Sequence, residues 1–283
     1  MPRALGLDAN LGLPLAALRD LAKEARDLGF ASVWTPSFGY DPVQLCVAWH
    51  AASGLPTGIS VLPLAYGTPA TIAQAARTAH ALTDGSFVLG LGSGRVDERP
   101  VAAVADALRV IRADAPGVPV YVGALGPQMV RFAGRHADGV ALNWCTPEHV
   151  AWSRERLGRQ VVVASYIRVA VDDDERGARR ALGEQVVQYS VASPRYRAHW
   201  ARMGYEAELR ELEALRDRGV GDLADRVPER MLFATSYAGR AAGAREAVAR
   251  LEAGLDVAIV RLLAARRGDV ASVRAAMRAT APA

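Results

Sequence analysis

Lysine is almost missing from this chain of 283 residues: Lys23 is the only one, and arginine carries the rest of the positive charge. Lys23 falls in a segment of helical period away from every strand end, so Schiff-base chemistry through a lysine is not expected. Cysteine is nearly as scarce. Cys46 and Cys145 stand far apart without metal-ligand spacing, as reduced thiols of a cytoplasmic protein would. The histidines at 50, 80, 136, 149 and 199 form no HxxxH or HxH pair, so no metal site is expected. No apolar run approaches the roughly 18 residues of a membrane span. The first six residues lack the apolar core of a signal peptide. The net charge of +4 is spread among interleaved acids and bases, and without a basic stripe nucleic acid is not an expected partner. A nucleophile elbow is missing as well, because Gly92-Ser93-Gly94 lacks the GxSxG spacing.

What is present is alternation. Residues 4–8, 31–35, 57–62, 86–91, 118–123, 138–143, 161–170 and 257–263 are runs of strand length, apolar enough to be buried on both faces as parallel strands are. Helical stripes lie between them. Leu15, Leu18, Leu21, Ala22, Ala25 and Leu28 form one, closed by Gly29. Thr68-Pro69 and Thr146-Pro147-Glu148 open two others with a cap, a fixed φ and, in the second, a carboxylate at the positive end of the helix dipole. Ala241, Ala244, Val248 and Leu251 form a late stripe. Eight repeats of strand and helix predict a single-domain α/β fold over residues 1–283, a (β/α)8 TIM barrel, with an open doubly wound sheet as the competitor. The seventh and eighth strands are separated by residues 171–256, too long for one crossover. A helical excursion near the barrel mouth is therefore expected there, with helical pattern over 173–189 and 206–218.

Barrels place function at the carboxyl ends of their strands. That rule nominates Asp8, Trp34 to Phe38, Val61 to Tyr66, Gly92 to Arg95, Gly123 to Pro127, Asn143 and Trp144, and Tyr166 to Arg168. Gly90-Leu91-Gly92-Ser93-Gly94-Arg95 fails the GxGxxG fingerprint because the third glycine is Arg95. It reads instead as a turn that lets backbone pass close to a neighbour or ligand. Gly123-Ala124-Leu125-Gly126-Pro127 is the stronger anion site: it joins a strand to a helix that Pro127 can open, leaving N–H groups free for a phosphate. Tyr189, Tyr196, Trp200 and Tyr205 in the excursion offer apolar walls with polar tips, and Tyr196 and Trp200 are the expected substrate contacts. A phosphate site without an acid–base constellation suits an enzyme whose cofactor carries the chemistry.

Four stretches carry a resemblance to the luciferase-like superfamily of flavin- and coenzyme F-420-dependent oxidoreductases, and within it to the methylene-tetrahydromethanopterin reductase-like branch. They are Leu21–Trp34, Val61–Gly94, Val120–Asn143 and Tyr166–Asp174. The resemblance implies a ring bound in the barrel mouth, a phosphate at Gly123, Ala124, Leu125 and Gly126 with Gly139 nearby, and a cis peptide between Ser60 and Val61. It also implies a homodimer. Gly92 and Asn143 complete the expected cofactor contacts, and Asp8 is the expected polar contact to ring or substrate. The implied activity is hydride transfer between coenzyme F-420 and a small organic substrate. FMN-dependent monooxygenation and a cofactor-binding non-catalytic relative are the alternatives. Three departures stand out: Ser37-Phe38 replaces the acid–His pair of many relatives, the insertion after the fourth strand shrinks to Arg95–Arg99, and Gly85-Ser86-Phe87 replaces Gly-Arg-Phe.

Overall fold

Parallel strands need cover on both faces, and in the computed structural model, which describes residues 2–191 and 193–282, the sheet meets this by closing on itself. The strands are β1 (Arg3–Gly6), β2 (Ser32–Thr35), β3 (Thr57–Pro63), β4 (Phe87–Gly92), β5 (Val120–Gly123), β6 (Gly139–Asn143), β7 (Val162–Val171), β8 (Ser236–Gly239) and β9 (Val257–Leu263). All pairings are parallel. β1 to β7 pair in sequence, β7 pairs β9 from Ala164 to Ala170, and β9 pairs β1 from Ala258 to Arg261. The eight expected strands are therefore the eight staves, and the barrel reading holds over the open sheet.

β8 was not expected. It pairs with β7 only, from Arg168 to Val171. β9 occupies one edge of β7 over those residues, and β6 leaves the other edge after Tyr166, so β8 extends the β6 side of the strand above the barrel.

Helices cover the outside: α1 (Leu15–Asp27), α2 (Pro42–Ser53), α3 (Pro69–Leu82), α4 (Pro100–Asp114), α5 (Pro127–His136) and α6 (Pro147–Leu157). The excursion adds α7 (Glu175–Ser190), α8 (Pro194–Arg202), α9 (Glu206–Ala214), α10 (Val220–Ala224) and α11 (Glu229–Leu232) before α12 (Ala241–Leu251) and α13 (Val270–Ala279). Thr68 and Thr146 cap α3 and α6 through their side chains as their positions suggest. Leu15, counted in the α1 stripe, is instead half exposed at the first turn. No described helix is long and apolar enough to cross a membrane.

The barrel interior is filled, not hollow. Trp34, Tyr121, Tyr166 and Ile259 share it with Ala4, Ala141 and Ala164. Trp34 and Tyr121 stack at 5.9 Å between centroids. Each of these two rings lies over the glycine paired with it across the ladder, Trp34 over Gly58 and Tyr121 over Gly139. A Cβ at either glycine would come within 2.6 Å of the ring. Gly139→Ala should therefore destabilise the barrel by about 1–3 kcal/mol, the usual cost of overpacking a filled core. Urea denaturation measures it; a change within experimental error would mean that the Tyr121 ring has room to move.

Candidate functional site

The staves end together at one mouth, and there the protein holds a cavity of about 890 Å³. A volume of this order is typical of a small-molecule or cofactor site. Its floor is built at β3. The β3–β4 register shifts between Ile59 and Leu62, and the Ser60–Val61 peptide is cis. Val61 bulges toward Gly92 and Gly123, where a Cβ would lie only 2.5 and 3.2 Å from its methyls. The glycine run at the end of β4 thus makes room for a neighbouring strand, as its sequence suggested.

One wall is the turn from β5 into α5. Gly123, Ala124, Leu125 and Gly126 all line the cavity, and no side chain caps the N-terminus of α5, where Gly126 is the cap and Pro127 the first residue. That leaves first-turn N–H groups for an anion. Arg202 of α8 donates to Leu125 O at 3.2 Å and stands beside Gly126, adding positive charge at the same place.

The opposite wall is α7 and α8, through Gln185, Gln188, Tyr189, Arg195 and Tyr196. α8 is braced against both rims. Arg195 reaches across to Gly94 O at 2.6 Å, Ser93 Oγ at 3.1 Å, Asp97 at 2.9 Å and Val96 O, so it holds the shortened loop after β4. His199 bonds Trp144 O at 2.8 Å and fixes α8 to the turn after β6. The excursion lines the mouth as expected of it, but its aromatics divide their work. Tyr189 and Tyr196 face the cavity, whereas Trp200 is fully buried between Trp144 and Tyr205 and Tyr205 joins it in the packing of the added helices.

Beneath α7, four of the nominated strand-end residues, Asp8, Asn143, Trp144 and Arg168, meet Arg261, which the sequence did not single out. Arg168 of β7 and Arg261 of β9 are 1% and 2% exposed. Arg261 Nε donates to Asp8 Oδ2 at 2.7 Å, and Asp8 Oδ1 accepts the Asn10 N–H at 2.7 Å. Arg168 lies 3.7 Å above the Trp144 ring and donates to Asn143 Oδ1 at 2.9 Å, while Asn143 Nδ2 donates to the Tyr196 hydroxyl at 2.7 Å. Trp144 adopts a left-handed φ of 53°, a costly conformation for a bulky residue, kept where its ring floors a guanidinium. Arg168 Nε and Nη2 and Arg261 Nη1 find no partner. Burial first, then repulsion from Arg261, pushes Arg168 down to about 10, still charged at neutral pH. Burial opposes ionisation of Tyr189, but Arg168 and Arg261 outweigh it and bring this phenol below its ordinary range. Tyr196 is pushed up instead, by burial first and then by Tyr189.

Of the expected cofactor contacts, Ser60, Val61, Gly92, Gly123, Ala124, Leu125, Gly126 and Asn143 line this cavity together, and so does Tyr196. Three expectations need correction. Asp8 is 1% exposed and does not line the cavity itself; it acts there through its partners Arg261 and Asn10, which do. Gly139 lies at the start of β6, on the far side of the Tyr121 ring, and its smallness serves packing. Trp200 is enclosed and touches nothing in the cavity. Ser37 and Phe38, which replace the acid–His pair, do line it. Lys23 is exposed on α1. The absence of paired histidine spacing did not reveal that Cys145, His149 and His199 meet outside the cavity, all buried, with ligand-type atoms within 4.8 Å of one another. His149 stacks on Trp152 at 4.6 Å and meets His199 edge-on at 4.8 Å.

The profile of the luciferase-like monooxygenase family matches residues 2–113 and 97–256. A 5,10-methylenetetrahydromethanopterin reductase of Methanolobus tindarius is 25% identical over 224 residues, covering 63% of this chain and 68% of that protein. A phthiodiolone/phenolphthiodiolone dimycocerosates ketoreductase of Mycobacterium tuberculosis is 30% identical over 152 residues, 39% of this chain and 40% of the ketoreductase. The chain thus spans about two thirds of the first relative and well under half of the second. The solved coenzyme F-420-dependent tetrahydromethanopterin reductase from Methanopyrus kandleri superposes with a TM-score of 0.76 at 18% identity, covering 98% of this chain and 97% of that one.

Burial of His149 should make the fold acid-sensitive. Burial first, then the charges of His199, Arg202 and Arg156, lowers His149 to about 3. Between its ordinary value near 6.5 and that figure, the unfolded chain binds a proton that the folded one refuses. Stability should therefore fall with falling pH through this window, by up to about 1.4 kcal/mol per pH unit, and stay level with respect to this group above it. His149→Gln should flatten that slope in urea denaturation series at pH 7.5, 6 and 5; an unchanged slope would assign the acid sensitivity elsewhere.

Proposed function

We propose that this chain, which belongs to the luciferase-like monooxygenase family, transfers a hydride between coenzyme F-420 and a small organic substrate. The composition of the cavity carries the reading: Arg95, Arg195, Arg202 and Arg261 line it, with no carboxylate, histidine, thiol or lysine among the described lining residues. Such a wall attracts an anionic ligand and offers little acid–base or nucleophilic chemistry of its own. The names of its relatives agree, one being a methylenetetrahydromethanopterin reductase and another a ketoreductase.

The residues present fit a phosphate-bearing flavin-type group. The turn from Gly123 to Gly126, the uncapped start of α5 and Arg202 would hold the phosphate by N–H donation and charge. The Ser60–Val61 bulge would support the ring, and Arg95 at the rim would meet the acidic tail that coenzyme F-420 has and FMN lacks. When bound, the group supplies or accepts the hydride. The chain's own part is to orient the partners and exclude water, with the braced α8 closing one side of the mouth. The proposal extends to a cytoplasmic homodimer.

Fluorescence titration with coenzyme F-420 and with FMN tests this. Coenzyme F-420 should bind at least tenfold more tightly than FMN. Gly126→Glu should weaken it at least tenfold further, since the new carboxylate both opposes the phosphate and competes for Arg202. Circular dichroism should stay unchanged. Tighter binding of FMN would favour the FMN-dependent monooxygenase, and no binding of either would remove the cofactor reading.

A further inference from the structure

Hydride transfer to a carbonyl leaves an oxyanion that must gain a proton, and the cavity offers few sources of one. With no carboxylate, histidine, thiol or lysine among the described lining residues, the hydroxyl donors with a titratable proton are Tyr189 and Tyr196. Resting on the hydride-transfer reading, we propose that Tyr189 is the proton donor and acceptor of the reaction and that the substrate is a ketone or aldehyde, or in reverse the matching alcohol.

The cluster under α7 supplies the reason. Arg168 and Arg261 are both buried, and Asp8 is the only carboxylate joined to either by a hydrogen bond or ion pair among the described residues. Two positive charges therefore face one negative charge, leaving an excess of one in a medium that opposes isolated charge. Arg168 Nε and Nη2 and Arg261 Nη1 remain without acceptors. The ring of Tyr189 lies 5.2 Å from the Arg168 guanidinium, in a tilted contact with Trp144 at 5.6 Å. When Tyr189 gives up its proton the cluster becomes neutral. Loss of the proton is thus favoured where it would ordinarily be penalised, and the direction of the phenol's shift agrees.

The groups around Tyr189 do not compete for this role. Tyr196 meets it edge-on at 4.7 Å, but its hydroxyl is held by Asn143 and its proton is retained by burial. Tyr166, below both arginines, is fully buried and pushed upward. Gln185 and Gln188, on the same helix, do not titrate. In the forward step the hydride of the reduced deazaflavin or flavin forms the new C–H bond at the carbonyl carbon. The electron pair of the C=O π bond moves to oxygen, and the Tyr189 O–H proton completes the alcohol. Tyr189 is left as a phenolate beside the Arg168 guanidinium, and water at the open mouth restores its proton. The substrate carbon gains two electrons, all from the reduced cofactor.

The test begins without cofactor or substrate. In protein labelled with 13Cζ-tyrosine, the resonance absent from Tyr189→Phe should titrate below the ordinary phenol value near 10. A midpoint at or above 10 overturns the proposal whatever the cofactor. With reduced coenzyme F-420, or reduced FMN if titration selects it, wild type should reduce cyclohexanone or acetophenone in single turnover. Its rate should fall as pH rises through the NMR midpoint, because the donor must be protonated. Tyr189→Phe should lose roughly 100-fold or more in that rate, lack that alkaline limb and bind the cofactor within twofold of wild type. An undiminished rate or a retained limb overturns the role of Tyr189, and reduction of neither ketone overturns the substrate class. Failure of both cofactors to bind sinks the hydride-transfer reading and the proposal that rests on it, while the NMR midpoint still reports whether the phenol is activated.

Discussion

The ion pair between Arg261 and Asp8 joins residues 253 apart in sequence and sits where the barrel closes. β9 and β1 are the last and first staves, and Gly6 is the ladder partner of Arg261. A Cβ at Gly6 would meet the Arg261 Cα at 2.9 Å, so the strand's close approach and the arginine's position are one geometric choice. Closing the sheet therefore carries a guanidinium into the mouth, where a carboxylate from the adjoining strand end answers its charge. Asp8 is that carboxylate, which is why it is buried and why its influence on the cavity is indirect.

From that seam the charge pattern spreads. Asp8 answers one arginine, but β7 brings a second, Arg168, whose other support is the face of Trp144 and one oxygen of Asn143. A cation on an aromatic face is stabilised less than one with a full counter-ion, so the mouth keeps positive character on its inner side. Arg95, Arg195 and Arg202 line the cavity as well, and no acid lines it among the described residues. The cavity is thus electrostatically directed toward anions and, through Tyr189, equipped with a group whose ionisation the protein favours. The two buried guanidiniums behind both properties sit on strands, while Arg195, Arg202 and Tyr189 come from the added helices and Arg95 from the loop after β4.

How much of this could be read from sequence depended on what each segment buries. The eight staves are covered on both faces and show as apolar runs; β8, with the sequence SYAG, is largely buried but short and made mostly of small residues, so it carried no such signal. α8 is polar along PRYRAHWAR, and its helix is held by the insertion of Trp200 and by arginine contacts to distant loops, neither of which leaves a periodic stripe. The phosphate turn was legible because strand, glycines and proline are contiguous. The arginine cluster was not legible as a cluster, since its members come from β7, β9 and the ends of β1 and β6. Its one local trace is an arginine inside each of two apolar strand runs, Arg168 in VVASYIRVAV and Arg261 in VAIVRLL. A charge kept within a buried strand has to be answered from elsewhere in the fold.

The excursion shows how a loop elsewhere can be shortened. The segment after β4 runs only from Ser93 to Arg99 before α4 begins, too short to cover the mouth, and Arg195 fastens it from above through four acceptors. The same helix grips Leu125 O through Arg202 and Trp144 O through His199. α8 therefore spans the turns after β4, β5 and β6 as a crosspiece. Tyr196 borders the cavity, and Trp200, one turn on along the same face, is buried in the packing of the added helices. Opening that side of the mouth would break all these bonds together and expose a buried tryptophan, so α8 acts as a fixed wall. Entry is left to the side of Phe38 and Arg95, where the lining side chains are exposed.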